Sequence, residues 1–117
     1  MKLRIRRNSI RLRLSISEVE RVAAGEAVSA TLETAPMKFT YELKADQVDN
    51  VTVSFNEDRL AVSIPFEDAK DLARTERVGI RSSGGPATLV VIEKDFGCAK
   101  PRPGEDQGDL YGYAAAL

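Results

Sequence analysis

The chain has 117 residues, 43% of them hydrophobic and 30% charged, with a net charge of −1 at pH 7, which is the size and make-up of one ordinary globular domain. A single cysteine and no histidine exclude an internal disulfide, Ser-His-Asp and Cys-His catalysis, and zinc sites of the Cys/His type. The near-neutral total hides an asymmetry: six of the 17 basic side chains lie in the first 14 positions, where there is no acid, which leaves 11 to face all 18 acidic ones over the rest. Such a chain suits a local anionic partner or self-association better than nucleic acid, which needs a domain-wide positive field.

In residues 2–14, Leu3 and Ile5, then Ile10, Leu12 and Leu14, alternate with Lys2, Arg4, Arg6, Arg11 and Arg13. That period of two, broken at Arg7-Asn8-Ser9, predicts a β-hairpin with one apolar and one basic face. Ser17-Glu18-Val19-Glu20 reads as a capping box, and Val19, Val22 and Ala23 continue at helical spacing until Gly25, predicting a short helix. Residues 27–33 and 38–44 alternate as strands around the break at Ala35-Pro36.

Shifting the chain by about fifty residues lays Leu3 and Ile5 on Val53 and Phe55, Ile10, Leu12 and Leu14 on Leu60, Val62 and Ile64, and Val19 and Val22 on Ala69 and Leu72. Continued without a gap, it lays Phe39 and Tyr41 on Leu89 and Val91. The expected architecture is therefore α+β, an antiparallel, strongly curved or barrel-like sheet of about eight strands with two short helices. It is built from two β-β-α-β-β repeats, about 1–45 and 51–95, within the single domain 1–117. No apolar run is long enough to span a bilayer and no apolar block follows the basic N-terminus, so a cytoplasmic location is expected.

The repeat also shows where the halves differ. Opposite the outward cations stand Thr52, Ser54, Ala61 and Ser63, small side chains that let another surface approach closely. The strand Leu89-Val90-Val91-Ile92 is apolar on both faces, so a cover is expected over Val90 and Ile92. The irregular segment 96–117 carries Leu110, Tyr111 and Tyr113 as anchors for that role, a partner subunit being the alternative. Its acids Glu105, Asp106 and Asp109 are candidates to lie against the N-terminal cations.

Lys2, Arg4, Arg6, Arg11 and Arg13 are the anion-binding candidates, since guanidinium groups grip phosphate and carboxylate bidentately. The plainer reading is a solvated face whose cations pair with Glu33 or Glu42. Cys98, flanked by Lys94, Lys100 and Arg102, is a reactive-thiol candidate, although such a cysteine is more often a small packed residue. Glu93 and Asp95 with Glu105 and Asp106 hold enough oxygens to invite a hard cation, but solvated carboxylates are the simpler account. No metal or cofactor is expected.

The opening K-L-R-I-R-x-N-S-I-R-L-R-L, residues 2–14, with S-E-V-E-R-x-A-A-G-E at 17–26 and I-E-K-D-F-x-C at 92–98, resembles a family of small bacterial proteins defined only as a domain of unknown function. The resemblance covers roughly the first 100 residues and implies a bacterial cytoplasmic protein, with no catalytic residue to carry over. A second likeness is to the tunnel-type triphosphate-processing enzymes, whose barrels are also two-fold and lined with basic residues. Where those enzymes place a metal-holding Glu-x-Glu-x-Lys strand, this chain has Lys2-x-Arg4-x-Arg6.

Two functions remain open on these grounds. The first is a non-enzymatic interaction domain that self-associates or binds a protein partner. The second is binding or hydrolysis of a phosphate-bearing or other anionic small molecule at the basic hairpin.

Overall fold

The computed structural model describes residues 1–82, 88–97 and 108–112. Lys2–Arg6 (β1) and Ser9–Leu14 (β2) form the first hairpin, with Leu3 opposite Leu12, Ile5 opposite Ile10 and Arg4 opposite Arg11. Helix α1, Ile16–Ala23, starts with no intervening loop. Its capping box is one S-x-x-E earlier than expected: Ser15 is the N-cap, its hydroxyl accepting from the Glu18 N–H, while Glu18 accepts from the Ser15 N–H at 2.9 Å. Both Ser15-x-x-Glu18 and Ser17-x-x-Glu20 satisfy the pattern, and the end of β2 at Leu14 selects the first. Val28–Thr34 (β3) and Met37–Asp46 (β4) pair as the second hairpin.

The second half runs through Thr52–Asn56 (β5), Arg59–Pro65 (β6), helix α2 at Phe66–Arg74, Gly79–Arg81 (β7) and Leu89–Lys94 (β8). Instead of the single antiparallel sheet expected, the strands form two four-stranded mixed sheets, ordered β1-β2-β8-β7 and β3-β4-β6-β5. Neither closes into a barrel among the described residues. The reason lies in the centre of each sheet. β2 pairs in parallel with β8, and β4 with β6, so each hairpin completes its sheet with strands from the other half. Short turns dictate antiparallel pairing only between the strands they join; the central pairs are long-range, and each helix carries the chain from one sheet to the other.

The inner faces of both sheets supply one core. Leu12, Leu14 and Ile92 of one sheet and Leu43, Val62 and Ile64 of the other are fully buried, with Val19 and Val22 of α1 and Ala69 and Leu72 of α2 closing one end. At roughly 1.5–3 kcal/mol per large apolar side chain removed from water, this core outweighs the weak propensity of two helices of eight and nine residues. The helices pack on each other there. Because β8 runs parallel to β2 and β4 to β6, the turns at Arg7-Asn8, Ala35-Pro36 and Glu57-Asp58 all fall at the opposite end.

Strand β8 departs from the expected register. Val90 and Ile92 are in the core at 1% and 0% exposure, while Val91 and Leu89 face outward. Val90 stands beside Ile10 and Tyr41 beside Leu60, so Val90 lies where Tyr41 does, one residue short of the ungapped shift. The cover over Val90 and Ile92 is thus the core itself. Gly79 is required at this junction, since a Cβ there would come within 2.9 Å of the Ile92 carbonyl oxygen.

Of the C-terminal anchors, Tyr111 packs against the core, Leu110 is half-buried, and Tyr113 lies outside the described residues. Tyr111 exchanges backbone hydrogen bonds with Asp95 and Gly97, and its ring lies 5.8 Å from that of Phe96 and 5.0 Å from the Lys94 ammonium. Burial raises the phenol's pKa, and the charges of Glu20 and Asp109 add to the shift.

Candidate functional site

Strand alternation puts the five cations of the first hairpin on the outer face of their sheet. The antiparallel register sets Lys2 opposite Arg13 and Arg4 opposite Arg11. Like charges directly across a strand pair repel, at a cost of several tenths of a kcal/mol per pair, so such a face calls for counter-charge. β8 delivers some of it. Glu93, beside Arg13 in the parallel register, accepts from the Arg13 Nε at 2.9 Å and lies 3.5 Å from the Arg11 Nε. Asp95, at 5% exposure, holds Lys2 at 3.0 Å.

These partners are not the ones expected. Glu33 and Glu42 belong to the other sheet, where they pair with Lys38 and Arg59. Glu93 and Asp95 are both engaged by cationic side chains, while Glu105 and Asp106, which would complete the candidate cation site, lie outside the described residues. Among the described residues, five cations meet two carboxylates on this face, and toward its turn end neither Arg4 nor Arg6 has an ion-pair partner.

There the surface dips. Arg4, Arg6 and Arg11 stand around a depression of about 130 Å³ whose floor is Leu89 and Val91. Val91 is 8% exposed although it looks outward, standing between Arg11 and Arg81 in register; arginine stems readily cover apolar surface while their heads stay in water. Arg81 of β7 is opposite Val91 in register and exposed, adding a further cation to the same face. Sequence reasoning missed Arg81, Leu89 and Val91 as parts of the site, because only the long-range pairing of β2 with β8 places them there.

Beyond Glu93 lies a second hollow, of about 200 Å³, between Arg13, Val78, Lys94 and Phe96. Lys94 is buried and donates to the Thr75 carbonyl at 2.9 Å, satisfying the end of α2. Asp109, a candidate counter-charge, instead accepts from the Ser17 N–H and hydroxyl at the start of α1, and these hydrogen bonds lower its pKa. Glu105, Asp106 and Cys98 lie outside the described residues, as do Lys100 and Arg102.

The proposed contact face of the second hairpin is less built. Thr52 and Ser54 are exposed and Ala61 and Ser63 half-buried on the outer face of the second sheet. The larger apolar exposure is at the turn end, where Ile5, Leu32, Met37 and Phe55 are each more than half exposed. No helix among the described residues is long and apolar enough to cross a membrane.

The fold and its face define a two-sheet α+β domain with an asymmetric basic surface. The chain belongs to a family of unknown function (DUF7009), whose model matches residues 1–114. No curated protein and no solved structure matches it.

Proposed function

We propose that this protein binds a small phosphate-bearing anion on the basic face, at the depression between Arg4, Arg6 and Arg11. The observation that carries the reading is the incomplete neutralisation of that face: Glu93 and Asp95 serve Arg11, Arg13 and Lys2, while Arg4 and Arg6 have no carboxylate partner among the described residues. An oxyanion seated there relieves the Arg4–Arg11 repulsion and receives bidentate guanidinium contacts, and Leu89 and Val91 offer apolar contact to an organic moiety. A thermal-shift screen of orthophosphate, pyrophosphate and nucleotides, with and without Mg²⁺, tests it. A ligand at a hundred times its dissociation constant stabilises the folded state by about 2.7 kcal/mol. The rise in melting temperature should shrink with added salt and vanish in Arg4→Gln/Arg6→Gln. A screen without any response at low salt, or an unchanged response in the double variant, refutes the reading.

The second reading is a non-enzymatic interaction domain that self-associates or takes a protein partner, favoured by the exposed apolar side chains at the turn end. A bacterial, cytoplasmic setting goes with both readings.

The two halves are read as copies of one β-β-α-β-β unit. Supporting this, the buried positions Ile10, Leu12, Leu14, Val19 and Val22 recur fifty residues on as Leu60, Val62, Ile64, Ala69 and Leu72. The strand order of one sheet also becomes that of the other when each strand is exchanged for its counterpart in the other half.

A further inference from the structure

Among the described residues, the turn end of the molecule is open. The helices close the core at one end, but at the other the inner faces of the two sheets leave a cleft of about 350 Å³, walled by Ile5 and Ile10 from one sheet and Val53, Phe55 and Leu60 from the other. Phe55, at 64% exposure, also lines a second hollow with Leu32, Met37 and Phe39, and its ring stacks 5.9 Å from that of Phe39. The apolar surface is therefore continuous across the end of the fold, which is unusual for water-facing surface without a partner.

The two hairpin turns at this end carry opposite charge, Arg7 lining the cleft and Glu57 and Asp58 the adjoining hollow. The first hairpin turns at Arg7-Asn8 and its counterpart in the second half at Glu57-Asp58. Arg7 and Glu57 both take positive φ, 51° and 55°, at a hairpin position that favours Gly, Asn or Asp. A long charged side chain is thus held at a backbone position that suits it poorly, in both turns and with opposite sign. Neither side chain has an ion-pair partner among the described residues.

We propose that the occupant of this apolar end is a second copy of the chain, docked end to end about a two-fold axis so that Arg7 of each copy meets Glu57 and Asp58 of the other. This rests on the interaction-domain reading and names its partner. The charges select the arrangement. A two-fold contact is isologous, so every cross-pair occurs twice. Setting the Arg7 turn of one copy over the Glu57 turn of the other gives two opposite-charge contacts around an apolar centre, whereas setting like turn over like turn juxtaposes Arg7 with Arg7 and Glu57 with Glu57, which is strongly disfavoured.

The experiment is sedimentation velocity on the full chain and on Arg7→Glu, Glu57→Arg and their equimolar mixture, with circular dichroism to confirm folding, since both positions are exposed turn residues. Wild type should dimerise reversibly at micromolar concentrations, and each single variant should weaken association by about tenfold or more, because its two cross-pairs become like-charged. The mixture should dimerise again, since the carboxylate introduced in the first turn of one variant then faces the guanidinium introduced in the other, while the unchanged Arg7 and Glu57 still meet. A wild-type chain that stays monomeric at high micromolar concentration overturns both this proposal and the self-association it rests on. A dimer indifferent to either substitution, or a mixture that stays monomeric, overturns the end-to-end arrangement and leaves the interaction-domain reading standing.

Discussion

The assignment of inward and outward positions on β8 can be tested by truncating two adjacent side chains, Ile92→Ala and Val91→Ala. Ile92 is 0% exposed, flanked by Leu12 and Ile80 on neighbouring strands. Its truncation removes three carbons, worth about 2.4 kcal/mol in transfer at roughly 0.8 kcal/mol each, plus the cavity left between two sheets that cannot collapse fully. The expected loss is about 3–4 kcal/mol, within the 5–15 kcal/mol typical of a domain, so the variant should still fold. Val91 is almost as inaccessible, at 8%, but its neighbours in register are the flexible side chains of Arg11 and Arg81, which settle over the smaller residue. That loss should be about 0.5–1.5 kcal/mol, since the transfer contribution is incomplete and no rigid cavity remains. Urea denaturation with a common m-value measures both. At about 3–5 °C per kcal/mol for a domain of this size, the melting temperatures should fall by roughly 10–20 °C and a few degrees respectively. Equal losses, or a larger loss at Val91, would refute the register and restore the ungapped repeat that places Val91 inside.

Three further outcomes follow from local geometry. Ser15→Ala should cost about 1 kcal/mol in urea melts, as for loss of an N-cap, and more than Ser17→Ala, whose hydroxyl makes only exposed contacts, with Asp109 and the Ser15 hydroxyl. Burial alone raises the Glu18 pKa, but hydrogen bonds from the Met1 ammonium and Ser15, with the ammonium's charge, bring it below its ordinary 4.5. A carboxyl with a lowered folded pKa contributes stability above its unfolded value and loses it as pH falls through the folded one. The melting-temperature advantage of wild type over Glu18→Gln should therefore be full near neutrality and fade below about pH 4.5. Tyr111→Ala should destabilise by about 2 kcal/mol, roughly half the cost of losing a fully buried aromatic ring, because the ring is half-buried over Phe96 and Lys94; an unchanged melting temperature would show that the C-terminal segment does not brace the core.

How much was legible in advance depended on the range of the interaction. Alternation in residues 2–14 reports which face of a strand is apolar, so the hairpin, its register and its basic side followed from residues a few positions apart, as did the helices from their spacing. The choice between Ser15 and Ser17 as cap turned on where β2 stops, which propensity does not resolve. Which strands become neighbours across the fold is a different kind of quantity. Strand β8 is hydrophobic at four successive positions, so its pattern is compatible with either face inward; only pairing with β2 on one side and β7 on the other, with Gly79 admitting the close approach, makes Val90 and Ile92 the core pair. The same pairing brings Glu93 beside Arg13 and sets Leu89 and Val91 beneath Arg4 and Arg11. The cations were thus visible in the sequence, whereas their counter-charges and the apolar floor between them were not, because a parallel pair about eighty residues apart is fixed by burial of the whole core and by no signal in either strand alone.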